Sequence, residues 1–209
     1  MRPIRWLLAV SFLAAPAAWA ETYADIAAGT TSVSDNIRGQ DFGGWNAFLG
    51  GRYDLPARYP PFFFTGDLYM HRLSSNNGAS TDDGLGRYDV GAGYGFQPNY
   101  CTELYVRAEY FHFKQTSESA SNNYAVHTDG AHAAVGAYYW VNDWLRPYAE
   151  AGWIRESRGI DGPRVSAGLE LNVVRYVRPF VDYSYTSEDV PAGRTRYSAV
   201  SLGIKIPLQ

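Results

Sequence analysis

Along residues 164–173, polar or very small side chains alternate one by one with apolar ones, and this period of two narrows the available folds more than any other feature. Arg164, Ser166, Gly168, Glu170 and Asn172 fall on one side, and Val165, Ala167, Leu169, Leu171 and Val173 on the other. Residues 177–186 repeat the pattern, with Val177, Pro179, Val181, Tyr183 and Tyr185 opposite Arg178, Phe180, Asp182, Ser184 and Thr186. In residues 197–208 the set Ser198, Val200, Leu202, Ile204, Ile206 and Leu208 opposes Tyr197, Ala199, Ser201, Gly203 and Lys205. Successive strand residues point to opposite faces, so each stretch predicts a strand with one uncharged face. A strand that crosses a bilayer at a tilt needs about 9–11 residues, which is the length found here.

Seven more two-faced segments precede these, over residues 23–31, 43–55, 62–72, 85–96, 102–115, 130–141 and 144–156. The pattern therefore predicts an all-β chain, a closed antiparallel transmembrane barrel of ten strands. Eight strands is the alternative, because the first segment is weakly apolar. The connectors after segments one, three, five and nine read as long and polar, with 116–129 the longest and 73–84 next. Those after two, four, six and eight are short, and 157–161 is a short exception. Asn76, Asn77, Asn122 and Asn123 read as solvated loop residues. Short turns on one side with longer loops on the other fit a membrane barrel, and an even strand number returns both termini to the same side. Residues 145–153 and 177–185 look like one strand written twice, each with an outward proline and an inward arginine and carboxylate. Gly91, Gly93 and Gly95 alternate within a segment and read as places of close backbone approach on a crowded inner wall.

Two arginines, an apolar run from residue 6 to residue 15 and the small-residue ending Ala18-Trp19-Ala20 predict a cleaved export signal over 1–20, leaving 21–209 as the barrel domain. Removing Arg2 and Arg5 with this leader leaves 16 of the 18 basic residues against 21 acidic ones, which offers no electrostatic basis for binding nucleic acid. No later segment approaches 18 uninterrupted apolar residues, so a membrane-spanning helix is excluded on length. A barrel is not excluded, because its signal averages away in a hydropathy window. The 17 tyrosines and 6 tryptophans suit membrane interfaces, where one end of the ring is dry and the other wet. Cys101, the sole cysteine, rules out an internal disulfide and reads as an inert thiol in a turn.

Alternation does not by itself say which face points inward, and a soluble barrel with an apolar calyx is the competing arrangement. The uncharged face is full of alanines, at 24, 28, 92, 108, 133, 149, 151 and 167, which would leave a soluble core underfilled but meet fluid lipid at little cost. Pro147 and Pro179 also lie on it. With the charged face inward, the lumen receives Asp25, Arg52, Asp54, Asp67, Arg87, Asp89, Glu103, Arg107, Glu109, Arg146, Glu150, Arg164, Glu170, Arg178, Asp182 and Lys205. Isolated buried charges cost several kcal/mol whereas paired, hydrogen-bonded ones are tolerated, so this near-balanced set predicts an ion-pair network that plugs the lumen or leaves it very narrow. A register shift of one residue would turn the charges to lipid at roughly 2–4 kcal/mol for each midplane arginine or lysine.

With its leader, ten alternating segments and apolar-alternating ending, the chain resembles the small outer-membrane β-barrel proteins of Gram-negative bacteria, the broad OmpA-like or OmpW-like group. The resemblance covers nearly the whole of 21–209. It implies the outer membrane as location. It also implies that Ser201, Gly203, Ile206 and Leu208 form the signal read by the outer-membrane assembly machinery, although this chain lacks the usual terminal aromatic and adds Gln209. Outer-membrane lipid and lipopolysaccharide are the implied surroundings, with an extracellular ligand reached through the loops.

Reactive constellations are sparse. His71 with Ser74 and Ser75 is the nearest approach to a lipid-acting His/Ser pair, but no carboxylate is spaced to complete it. His127 and Asp129 share the Asp/His usage of outer-membrane proteases without the second acid pair. His112, His127 and His132 lack metal-ligand spacing within one element, so no metal or other cofactor is expected. The expected role is non-enzymatic: a structural or surface-interaction barrel with a plugged lumen. A narrow porin-like channel for small solutes and a lipid-modifying enzyme are the alternatives.

Overall fold

The alternation is realised as a single closed sheet. The computed structural model describes residues 21–35, 40–56, 61–75, 82–118, 123–174, 176–190 and 193–208. The expected export signal and Gln209 lie outside these residues, as do Asn76, Asn77 and Asn122. Ten strands follow one another as β1 (Tyr23–Asp35), β2 (Gln40–Asp54), β3 (Phe62–Ser75), β4 (Asp82–Asn99), β5 (Thr102–Glu118), β6 (Asn123–Tyr139), β7 (Leu145–Glu156), β8 (Asp161–Leu171), β9 (Arg178–Val190) and β10 (Gly193–Pro207). Each pairs antiparallel with its neighbours in sequence. The ring closes where β1 meets β10, from Tyr23↔Pro207 to Asp35↔Thr195. Closure leaves no unpaired edge, which hydrocarbon would not tolerate.

The basal end, which carries both termini, has compact turns. Asn142 Oδ1 accepts from the Trp144 and Leu145 amides at 3.1 and 2.9 Å, and Asn99 Oδ1 accepts from the Cys101 amide at 2.9 Å. At the distal end the structure corrects the expected long loops. β5 and β6 run on to pair Glu118 with Asn123, so most of 116–129 is strand rather than loop. Half of 73–84 is strand as well, where Ser74 pairs with Asp82, and so is most of 187–195, where Val190 pairs with Gly193. Backbone pairing continues wherever hydrogen bonds can be made, whether or not an apolar face marks the stretch.

The reason the apolar face disappears there is an inversion of the pattern. In the middle of the barrel the outer wall is uncharged, with exposed Ile26, Leu49, Leu68, Val90, Val106, Val135, Val165, Val181 and Leu202. Toward the distal end Ser32 and Ser74 point out, while Val33, Phe42, Leu73 and Leu85 turn inward and pack together with Phe113 and Tyr197. A wall that faces water on the outside has no use for exposed apolar groups, so the alternation keeps its period but exchanges its sides. Outward aromatics mark the borders of the apolar band. On β2, Trp45 and Tyr53 lie eight residues apart, which is about 27 Å along the strand and about 21 Å across a membrane at ~40° tilt. This matches an apolar band of ~25 Å.

Inside, glycine makes room for rings. A Cβ at Gly136 would overlap the Tyr105 ring and one at Gly168 the Tyr148 ring. Gly93 stands in the same relation to Phe63, which is the close approach expected of that glycine run. Phe63, Tyr105 and Tyr138 form a buried cluster with Tyr148 against it, filling the lumen toward the basal end.

Candidate functional site: the charged lumen

The site is the inner wall itself, and its simplest unit is a basic and an acidic residue two apart on one strand. That spacing places both on the inner face at consecutive levels. Arg52 donates to Asp54 Oδ1 through Nε at 3.0 Å and Nη2 at 2.8 Å. Arg87 forks onto both oxygens of Asp89 at 2.6 and 2.7 Å, and Arg107 donates to Glu109 Oε1 at 2.8 Å. Cross-strand and cross-lumen contacts then join these units.

Two connected groups close the basal end. Arg52 also reaches Glu103 at 2.7 Å and lies 4.0 Å over the Phe63 ring. Beside it, Glu170 accepts from Arg146, its direct partner in the β7–β8 register, and from Lys205 on β10, two strands away. Glu21 bridges Arg146 and Arg178, while its backbone amide donates to Asp54 Oδ2 at 2.7 Å. The cations sit over aromatic faces as well: Arg146 is 4.6 Å from the Tyr138 ring centre and 4.7 Å from that of Trp140, and Lys205 is 4.1 Å from that of Tyr23. Such contacts between desolvated cations and rings add attraction without adding charge.

Arg107 is the hub at mid-height. It contacts Glu109 and Glu150 at 2.8 Å and Asp67 at 3.9 Å. Tyr105 donates to Glu150 at 3.0 Å, Thr65 donates to Glu109 at 2.9 Å, and His132 Nδ1 lies 3.1 Å from Glu109 Oε2. Tyr148 donates to Asp182 at 2.6 Å. Above this layer the wall is looser. Arg164 reaches only the Tyr69 hydroxyl, at 3.4 Å, among its described hydrogen bonds, and His71 Nδ1 lies 3.0 Å from Thr31 Oγ1.

Three cavities lie above one another. One of about 160 Å³ is bounded by Asp25, Asp67, Tyr105, Arg107, Tyr148 and Lys205. The next, about 110 Å³, shares Tyr69, His71 and Arg164 with the first. The third, about 180 Å³, shares Leu85, Phe113, Glu156 and Tyr197 with the second. Each has room for a few waters, since one molecule occupies ≈ 30 Å³ of liquid.

All sixteen residues expected in the lumen lie on inward positions of their strands, but their connections differ. Asp25 and Asp182 make no described ion pair, and one oxygen of Asp25 is buried without a partner among the described residues. Sequence reasoning missed Glu21, His132, Glu156 and Glu188. Of these, His132 and Glu156 were legible, because each continues the inward phase of its strand. Glu21 was not, because it precedes the first strand and acts through a turn of chain. With the three further acids the inward set leans acidic rather than near-balanced. The distal apolar patch was also missed, because the exchange of faces looked like the end of each strand.

The reactive pairs considered from sequence are not assembled. His71 faces the lumen and Ser74 faces out, donating to the Gly43 carbonyl at 3.4 Å; the side chain of Ser75 is outside the described residues. Asp129 is on the outer wall of β6 rather than at the base of a loop. Its Oδ1 accepts from the Tyr110 hydroxyl at 2.5 Å and lies 2.8 Å from His112 Nδ1, while His127 Nδ1 lies 3.3 Å from His112 Nε2. His132 is inside, away from both other histidines. Ser201, Gly203, Ile206 and Leu208 lie at the end of the chain, with Ser201 Oγ donating to Asn46 Oδ1 at 2.9 Å and Ile206 and Leu208 facing out.

An uncharged outer band bordered by aromatic rings, around an interior of buried ion pairs, defines a membrane-spanning β-barrel. Residues 6–151 match the outer membrane protein beta-barrel domain, and the chain belongs to that family of Gram-negative outer-membrane proteins. No curated protein sequence matches the chain significantly. Among solved structures the chain is similar to an outer-membrane channel from Pseudomonas putida F1, at TM-score 0.59 and 9% identity over 93% of this chain and 98% of that one. It is also similar to the outer membrane protease OmpT from Escherichia coli, at TM-score 0.58 and 9% identity over 90% and 97% of the two chains. A third similarity is to Neisserial surface protein A, at TM-score 0.50 and 14% identity over 90% and 97%. At such identities the likeness concerns the fold alone. In this membrane the basal end with its short turns is periplasmic and the distal end is external.

Proposed function

We propose that the protein is a non-conducting, non-enzymatic barrel of the outer membrane that acts as a structural and surface-interaction element, its external strand ends meeting ligands outside the cell. One observation supports this reading: side chains of two unlike kinds pack into the lumen at two levels. Toward the periplasm stand the rings of Phe63, Tyr105, Tyr138 and Tyr148 with the Arg52–Glu103 and Arg146–Glu170–Lys205 ion pairs, and toward the outside stands the apolar patch of Val33, Phe42, Leu73 and Leu85 on one side of the wall. Ions crossing such an interior would have to break buried pairs whose disruption costs several kcal/mol.

A narrow channel is the second reading, favoured by the shared walls of the three cavities. Planar-bilayer recording separates the two. Silence at physiological voltages is the expected result, and steady unitary current steps from the purified chain would establish the channel instead. For the non-enzymatic part, His71→Ala is expected to change no activity toward lipopolysaccharide or phospholipid. Loss of such an activity would overturn it.

A further inference from the structure

On the outer wall of β5 and β6 two histidines meet that are fifteen residues apart in the chain. His112 faces outward on β5, where the register sets it opposite Tyr88 of β4 and Asp129 of β6. His127 lies on the same face of β6 as Asp129, one outward position further from the membrane, and so stands diagonally across from His112. His112 Nε2 and His127 Nδ1 are 3.3 Å apart, with ring centres 5.5 Å apart. The expectation that no metal binds rested on spacing within one element, and a pair formed across two strands escapes that criterion. Two nitrogens that each lie ~2.0–2.1 Å from one zinc ion at the tetrahedral angle are themselves about 3.3 Å apart. The two rings already hold the separation that such an ion imposes.

The surroundings fix one ring and its tautomer. Asp129 Oδ1 lies 2.8 Å from His112 Nδ1. A carboxylate there requires the N–H on that nitrogen, which leaves the lone pair on Nε2, the atom aimed at His127. Tyr110 donates to the same carboxylate oxygen at 2.5 Å, and Tyr88 stacks on His112 with ring centres 5.2 Å apart. A carboxylate behind an imidazole sets the orientation and raises the basicity of metal-binding histidines. His127 and Asp129 are exposed, so an ion reaches the pair directly from water. Lys114, exposed and opposite His127 in the register, is the charge that opposes an incoming cation, and its flexible stem lets the ammonium swing away into solvent.

We propose that His112 Nε2 and His127 Nδ1 bind a divalent late first-row metal ion, zinc or copper, on the external part of the outer wall. The ion takes the place of the proton that otherwise bridges the two rings, and His127 carries that proton on Nε2 instead. Imidazole nitrogen suits both ions. Among the described residues no group of three or more His, Cys, Asp or Glu side chains is arranged to hold a metal, so the protein supplies two ligands and water fills the other positions. Structural zinc sites close on four protein ligands, whereas open positions let the ion accept a donor atom from another molecule. The inference does not depend on whether the lumen is closed.

The test is calorimetric titration of the folded barrel in mild detergent with Zn²⁺, on chain produced without an affinity tag of histidines. The unmodified chain is expected to bind one ion. Asp129→Asn is expected to weaken binding about tenfold, as loss of the carboxylate behind a metal-bound histidine does. His112→Ala and His127→Ala are each expected to cost more than that, because each removes a ligand. His71→Ala and Cys101→Ser, which lie elsewhere in the barrel, are expected to leave binding unchanged. With Cu²⁺, electron paramagnetic resonance is expected to show two imidazole nitrogens in the unmodified chain and one in each single-histidine variant. Absence of binding by the unmodified chain would overturn the proposal. So would unmodified affinity, or a surviving two-nitrogen signal, in His112→Ala/His127→Ala. Heat-modifiable gel mobility, read on every sample, separates loss of the site from loss of the fold.

Discussion

Glu170→Gln is the most informative single change in the lumen. The carboxylate is 1% exposed and accepts from Arg146 on the neighbouring strand and from Lys205 two strands away on β10. Glutamine keeps the shape and removes the charge. Arg146 would retain Glu21 at 2.6 Å, whereas Lys205 has no other described carboxylate within ion-pair distance. At an effective dielectric of ~20, each unit-charge contact near 3 Å is worth about 5 kcal/mol in Coulomb terms. Desolvation and relaxation reduce this, and removing one partner of a buried pair typically costs 3–5 kcal/mol. Because Glu21 continues to serve Arg146, the expected loss is at the lower end, about 3 kcal/mol. The assay is urea unfolding in lipid vesicles followed by tryptophan fluorescence and gel mobility. Glu170→Gln/Lys205→Met is expected to regain much of the loss, because it removes the stranded cation as well. A loss under ~1 kcal/mol for the single variant, as at a hydrated surface pair, would mean that water reaches the base of the lumen and would refute the argument for a closed interior.

Three other outcomes are expected. Tyr105→Ala/Tyr138→Ala/Tyr148→Ala removes the rings that fill the periplasmic half and should raise conductance from silence to measurable, fluctuating current if the external apolar patch is also trimmed by Phe42→Ala; continued silence of the combined variant would show that the ion pairs alone seal the barrel. Val135→Arg, at a position 58% exposed on the outer band, should cost roughly 2–4 kcal/mol of stability in vesicles, and a neutral result would place that face in water. Cys101, free and exposed in the β4–β5 turn, should react with a membrane-impermeant maleimide only after the outer membrane is permeabilised, whereas labelling on intact cells would invert the assigned orientation.

Much of the lumen was legible because three of its pairs are written locally. Arg52–Asp54, Arg87–Asp89 and Arg107–Glu109 occupy consecutive inward positions of single strands, so period two alone brings them together. The pairing of Arg146 with Glu170 depends on the register of β7 against β8, and that of Lys205 with Glu170 on the curvature that lets β10 reach past β9 to β8. Neither is visible until the sheet has closed. Asp129 shows the same limit from outside: its sequence neighbour His127 suggested a dyad, but cross-strand pairing gives it His112 and Tyr110 instead.

Strand period and the face that turns to lipid are one-dimensional properties. They follow from side-chain alternation and from the cost of placing charge in hydrocarbon, so the linear order of residues was enough to determine them. The ends of the strands, the exchange of apolar and polar sides beyond the bilayer and the ion pairs that cross the lumen depend on which solvent each level of the wall meets and which distant segments it faces. Those were decided only by the closed barrel, because register and closure, not alternation, set which side chains meet inside and where the wall leaves the lipid.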